Sequence, residues 1–147
     1  MIKSAQRKFF KGFTLIELLI VIAILGILAA AVLVAVNPLK RQQQARDAGR
    51  KSDVGQLVTA LQAFYTTPGS GSYPTSMATL VSTGDLKQLP TDPTGDSNYG
   101  YDYSADSTEA AVWATLENPN TTGTVWCWQS TSGKAQEVSL SVCTNNL

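Results

Sequence analysis

The side chain that most constrains this protein's chemistry is Glu17, the one charge in FTLIELLIVIAILGILAAAVLVAV, residues 13–36. A carboxylate inside an apolar segment costs on the order of 2–4 kcal/mol, so it marks a functional position by default. The nearest positive charges precede it. Lys3, Arg7, Lys8 and Lys11 crowd the first 12 positions, where there is no acid. Gly12 stands between the basic and apolar segments. Glycine has little helix propensity and no side-chain bulk, so the chain there is free to extend. Two cysteines, Cys127 and Cys143, lie near the C-terminus. Such a pair can be a disulfide, two buried thiols or half a metal site. Acceptable metal-ligand partners are absent nearby, which puts the disulfide first and implies an oxidising compartment. There is no histidine, which removes Ser-His and Cys-His catalysis and every His-ligated metal site. No phosphate loop and no nucleophile with a base beside it are present. A non-enzymatic protein is expected.

These residues need elements to hold them. The apolar run has 24 residues; at ~1.5 Å per residue it spans about 36 Å as a helix, enough to cross a bilayer core. It is not an ordinary secretory signal, which has a shorter apolar region and a small-residue cleavage site after it. Here the basic region ends at Lys11-Gly12, before the apolar run starts. Lys40, Arg41, Arg46, Arg50 and Lys51 follow the run, so the positive-inside rule does not settle its orientation. The cysteine pair and the Ser/Thr-rich C-terminal region favour a C-terminus outside. The formal net charge is +0. Beyond residue 12, seven basic side chains face 11 acidic ones, a balance of −4. Nothing there is suited to gripping phosphates, and a nucleic-acid partner is not indicated.

Pro38 is expected to bend or break the helix. Beyond it, 39–66 reads as helical: Val54, Leu57, Val58, Leu61, Phe64 and Tyr65 repeat at three and four residues and give one apolar face. The preceding RQQQARDAGRKSD is polar, rich in helix formers, and expected to be solvated. Pro68 and Gly69 stop the helix. A continuous helix from Phe13 to Thr66 would be about 80 Å long, more than a small domain can bury. From 67 onward the texture changes to a head. Met77–Val81 reads as a short helix capped by Ser76. YGYDYS, AAVWATLE, GTVWCWQS and AQEVSLSVC read as strands, with NPNTTG and STSGK as antiparallel turns. Asn120-Thr121-Thr122, which matches a glycosylation sequon, is read as turn composition. On a strand, Trp126 and Trp128 share one face while Cys127 takes the other. The fold class is α+β: a long N-terminal helix packed on a small antiparallel sheet of three or four strands.

The segment KGFTLIELLIVIAILGILAAA, residues 11–31, resembles the N-terminus of type IV pilins and type II secretion pseudopilins. It carries a Gly, an aromatic residue, then Thr-Leu-Ile-Glu opening an apolar helix after a short basic leader. The resemblance implies that a prepilin peptidase cuts between Gly12 and Phe13 and methylates the new N-terminal Phe13. Glu17 then stands four residues past a free amine, one helical turn away. In the family this glutamate pairs with the N-terminal amine of a neighbouring subunit and sets register during assembly; the helix N-terminus already favours its charge. Gly26, Ala29, Ala30, Ala31 and Ala35 would let stems approach closely. The implied organisation is a leader over 1–12, a membrane and filament-core helix over 13–36, an amphipathic half-stem over 37–66, and a head over 67–147 with a C-terminal disulfide loop.

The implied function is that of a structural subunit of a type IV pilus-like filament, with the major pseudopilin of a type II secretion system, or a DNA-uptake pilin, as the alternative. Its partners would be other copies of itself, the prepilin peptidase and an inner-membrane assembly platform. It would start as a single-pass precursor in the cytoplasmic (inner) membrane and end in an extracellular or periplasmic filament. Within the head, LPTDPTGDSNYGYDY resembles a stretch of the major pseudopilins: Leu89, Pro90, Asp92, Pro93, Gly95, Tyr99 and Tyr101 match. Those proteins bind calcium with carboxylates and carbonyls from this loop and a later acidic one. That makes Asp92, Asp96 and Asp102 candidate oxygen ligands. The later loop offers Glu117 but no cluster of aspartates, so turn-forming Asp is the better reading and no cofactor is expected. Many type IV pilins close a C-terminal loop by a disulfide. Cys127–Cys143 would close about 17 residues, worth roughly 3 kcal/mol by chain entropy.

Overall fold

The computed structural model describes residues 12–96, 99–145 and 147. The leader expected over 1–12 lies, apart from Gly12, outside the described residues. The chain divides into two compact units, one ending at Pro38 and the other spanning Leu39–Leu147.

The first unit is built on α1, Leu15–Val36. Its 22 residues include none that is buried; at ~1.5 Å per residue they extend about 33 Å. Leu, Ile, Val and Ala propagate a helix well, but nothing in the unit covers their side chains. By length and composition α1 is able to cross a membrane. Asn37 ends it in the left-handed region, at φ 44 and ψ 79. Asparagine tolerates that conformation better than most residues. Pro38 follows as the first residue of the next helix, where its fixed φ fits and its missing N–H is no loss. The helical stretch is therefore two helices rather than one 54-residue rod.

The next helix, α2, spans Pro38–Thr66 and belongs to the second unit from Leu39 onward. Its inward stripe is Asp47, Arg50, Val54, Leu57 and Leu61, at alternating spacings of three and four residues, with Ala60 beside it. Two members of this stripe are charged. The polar run ahead of Val54 is thus not wholly solvated, as its composition suggested. After α2 the chain turns tightly. A Cβ on Gly69 would lie 2.2 Å from the Ser72 carbonyl oxygen, so only glycine fits there. The short helix α3, Met77–Ser82, is capped by Ser76, whose Oγ accepts from the Ala78 N–H at 3.2 Å.

Among the described residues four strands follow: β1 (Tyr99–Tyr103), β2 (Ala110–Thr115), β3 (Thr124–Gln129) and β4 (Lys134–Ser139). They form one antiparallel sheet in the order β1-β2-β3-β4. Register pairs Tyr101 with Val112, Trp113 with Cys127, and Trp126 with Glu137. One face packs Ala110, Val112, Ala114 and Trp128 against Val54, Leu57, Ala60 and Leu61 of α2, with Tyr73 and Leu80 completing the core. The opposite face carries Ala111, Val125 and Cys127 under Cys143. The last segment departs from its expected strand. β4 stops at Ser139, and α4 covers Leu140–Thr144. Ser139 caps α4 by accepting the Val142 N–H. The alternation of Val138, Leu140 and Val142 looks strand-like, but Leu140 and Val142 are exposed, while the turn into α4 brings Cys143 over the sheet. The fold is α+β, as the pattern of periods indicated.

Candidate functional site

At the start of α1 the geometry is a capping box. Thr14 is the N-cap, and its Oγ accepts from the Glu17 N–H at 3.3 Å. The Glu17 carboxylate reaches back, accepting from the Thr14 N–H and the Thr14 hydroxyl, each at 2.8 Å. Reciprocal bonds of this kind satisfy donors that a helix start otherwise leaves open. They also fix the carboxylate at the N-terminal end of α1, where the helix dipole favours negative charge. Gly12 and Phe13 precede the cap, outside the helix and exposed. The two are therefore accessible at the expected scissile bond. Beyond them, apart from Glu17, α1 presents exposed apolar side chains from Leu15 and Ile16 to Leu33 and Val34.

The head holds a second charged constellation, centred on Arg50, which is 1% exposed. Arg50 Nε donates to Asp92 Oδ2 at 2.6 Å, and Nη2 donates to Asp92 Oδ1 at 3.0 Å, a bidentate pair. Its Nη1 donates to Asp47 Oδ1 at 2.8 Å and pairs with Glu117 Oε1 at 2.9 Å. Glu117 also receives Arg46 Nε at 2.7 Å. Asp47 receives the backbone N–H groups of Glu117 and Asn118 at 2.9 and 2.8 Å. One helix face thereby grips the loop before β1 and the loop after β2. The Asp92 bond, with help from Asp47 and Glu117, raises the Arg50 pKa against the opposing effect of burial. Arg46 and Arg50 hold Glu117 below the usual carboxylate range. Nearby, Lys51 Nζ donates to Glu137 at 3.2 Å and lies 4.4 Å over the Trp126 ring.

The candidate calcium ligands divide. Asp92 points into the head and is 5% exposed; besides Arg50 it accepts the Thr94 N–H at 2.9 Å. Asp96 is exposed and accepts from the Thr94 hydroxyl at 3.2 Å. Asp102 is exposed on β1, opposite Ala111, and accepts the Tyr103 N–H at 2.9 Å. Among the described residues no group of three or more His, Cys, Asp or Glu side chains is placed to hold a metal ion. Cys127 on β3 and Cys143 on α4 are joined in a disulfide, with 6.0 Å between their Cα atoms. The sequence reading missed Arg50 and Asp47. The signal was present: they stand four and seven residues before Val54, on the stripe that the apolar residues define.

A helix of membrane length that buries none of its own residues, opened by a capped glutamate and followed in the chain by a small α+β head, defines a helix-stemmed subunit class. The prokaryotic N-terminal methylation motif matches residues 7–33. Over 120 residues the chain is 33% identical to type II secretion system core protein G of Pseudomonas aeruginosa, covering 71% of this chain and 80% of that protein. No solved structure matches the chain. The chain belongs to the type IV pilin and type II secretion pseudopilin family. This is a family of structural subunits, not an enzyme class.

Proposed function

We propose that this protein is the filament-forming subunit of a type II secretion pseudopilus. Residues 1–12 are its leader, prepilin peptidase cuts after Gly12, and Phe13 becomes the methylated N-terminus. The processed chain waits in the cytoplasmic membrane through 13–36, with 37–66 as the amphipathic half-stem and 67–147 as the head. An inner-membrane assembly platform then moves it into a periplasmic filament of identical copies. The observation that carries this reading is the relationship to core protein G over four-fifths of that protein's length. It shifts the weight from the surface pilus, expected first, to the secretion filament. A specific feature favours the pilus as the second reading: the Cys127–Cys143 bridge, which ties the C-terminal helix to the sheet.

In either filament the stems exchange lipid for one another. Close approach of small residues, not a gain in burial, then favours assembly, because lipid tails are as apolar as leucine. Glu17 gives that packing its register by meeting the Phe13 amine of a neighbour. Intact mass and N-terminal fragmentation of the native protein test the processing, with a chain beginning at methylated Phe13 as the expected species. A chain retaining Met1–Gly12 in cells with active peptidase would sink the proposal. Glu17→Ala should leave insertion and cleavage intact and abolish most filament; unchanged filament yield would remove Glu17 from assembly. Long fibres on the cell surface would select the pilus over the secretion filament.

A further inference from the structure

The resemblance of the 89–103 stretch implies a divalent cation between the loop before β1 and the acidic loop that follows β2. The residues present do not fit one. The loop carboxylate that points inward, Asp92, gives both oxygens to the Arg50 guanidinium. The acid of the second loop, Glu117, faces the same guanidinium and Arg46. Asp96 and Asp102 are exposed, each bonded within its own loop or strand. We infer that Arg50 is a covalently attached substitute for that cation: its guanidinium bridges the two loops, and the head holds its fold without calcium.

Three observations carry this. The first is position. Asp92, Asp47 and Glu117 come from three segments of the chain and meet at one side chain that is 1% exposed. A solvated arginine would not be enclosed in this way, since charged side chains are almost never fully buried unless paired. The second is charge. Two positive groups, Arg46 and Arg50, face three negative ones, Asp47, Asp92 and Glu117, leaving a single net negative charge. A divalent ion added there would over-neutralise the cluster and would have to displace Arg50. The third is donor geometry. A guanidinium has five donors in a fixed fork, and Arg50 uses Nε, Nη1 and Nη2 on carboxylates. A calcium ion needs six to eight oxygens at about 2.3–2.6 Å, and the inward-facing oxygens already accept from arginine and from backbone N–H groups. The inference holds whichever filament the chain builds.

The test uses the full chain in detergent, followed by tryptophan fluorescence on heating. Trp113, Trp126 and Trp128 all lie on β2 and β3, so the signal reports the head alone. The midpoint should be the same in excess EDTA and in millimolar calcium chloride. A head with a real site, at a hundred times its dissociation constant, would gain about 10 °C on adding calcium; that gain would overturn the inference. Asp92→Asn provides an independent arm. If Asp92 serves Arg50, the variant loses the same stability with and without calcium. If it is a calcium ligand, the loss appears only when calcium is present, and the inference fails. Should Asp92→Asn not fold, the wild-type comparison decides alone.

Discussion

Reducing the Cys127–Cys143 bridge should lower the melting midpoint of the head by about 12 °C. The two cysteines are 16 residues apart. Freeing a loop of that size returns roughly 3 kcal/mol of conformational freedom to the unfolded chain. The unit that unfolds spans Leu39–Leu147; in a domain of about a hundred residues each kcal/mol moves the midpoint by at least ~4 °C. Reduction is the cleaner perturbation. Both sulfurs are buried, with Ala111 and Val125 beneath them and Trp113, Val138 and Leu147 around them. Cys127→Ala with Cys143→Ala removes the sulfurs too, so a small cavity adds to the loss. The double variant should therefore melt slightly below the reduced wild type. Tryptophan fluorescence of the oxidised, reduced and alanine forms, heated in parallel, reads the difference. If the reduced protein melts within about 3 °C of the oxidised one, native packing rather than the cross-link holds α4 on the sheet, and the loop-entropy reasoning is wrong.

Two other perturbations address the sheet and its charges. A Cβ on Gly100 would lie 2.1 Å from Trp113 Cε2 on the paired strand. Gly100→Ala should therefore cost about 1–3 kcal/mol by forcing that ring aside, and combining it with Trp113→Val should recover part of the loss; thermal melts of the three variants measure both. Acid should weaken the head below pH 4.5, the ordinary value for the glutamates concerned. Arg46 holds the Glu117 pKa down. Burial pushes Glu137 up, but the Asn120 N–H and Lys51 outweigh it. A carboxylate whose folded-state pKa is depressed contributes stability above its unfolded value and loses it as pH falls through the folded value. Urea midpoints measured from pH 7 to pH 3 should stay level and then fall below pH 4.5. In Glu117→Gln the fall should be smaller.

Much of this architecture was legible because its signals are periodic. The apolar run has no charge but Glu17, and the face of Val54, Leu57 and Leu61 repeats at helical spacing. The strands alternate well enough that Trp126 and Trp128 could be assigned one face and Cys127 the other. Two features escaped for physical reasons. Arg50 and Asp47 lie on the helical stripe, but composition alone cannot distinguish a charged residue that finds partners 42 and 70 residues away from one that faces water. The end of β4 was misread because Val138, Leu140 and Val142 alternate as a strand would. The bend at Ser139 depends on its own side chain capping α4 and on Cys143 meeting Cys127. Local alternation carries neither piece of information.

The strand order has a kinetic consequence. Each strand pairs with its immediate neighbour in sequence, so the sheet can zip up through short loop closures, the arrangement that folds fast. The bonds that fasten α2 to the loops and to β4 span far more chain: 42 residues from Arg50 to Asp92, 71 from Arg46 to Glu117, 86 from Lys51 to Glu137. They have no partners until the sheet and its loops exist. Helix docking is thus expected to follow sheet formation in this head. Interactions that form after the transition state act on the rate of opening rather than the rate of closing. The arginine cluster is therefore placed to set how long a folded head survives, not how quickly it forms.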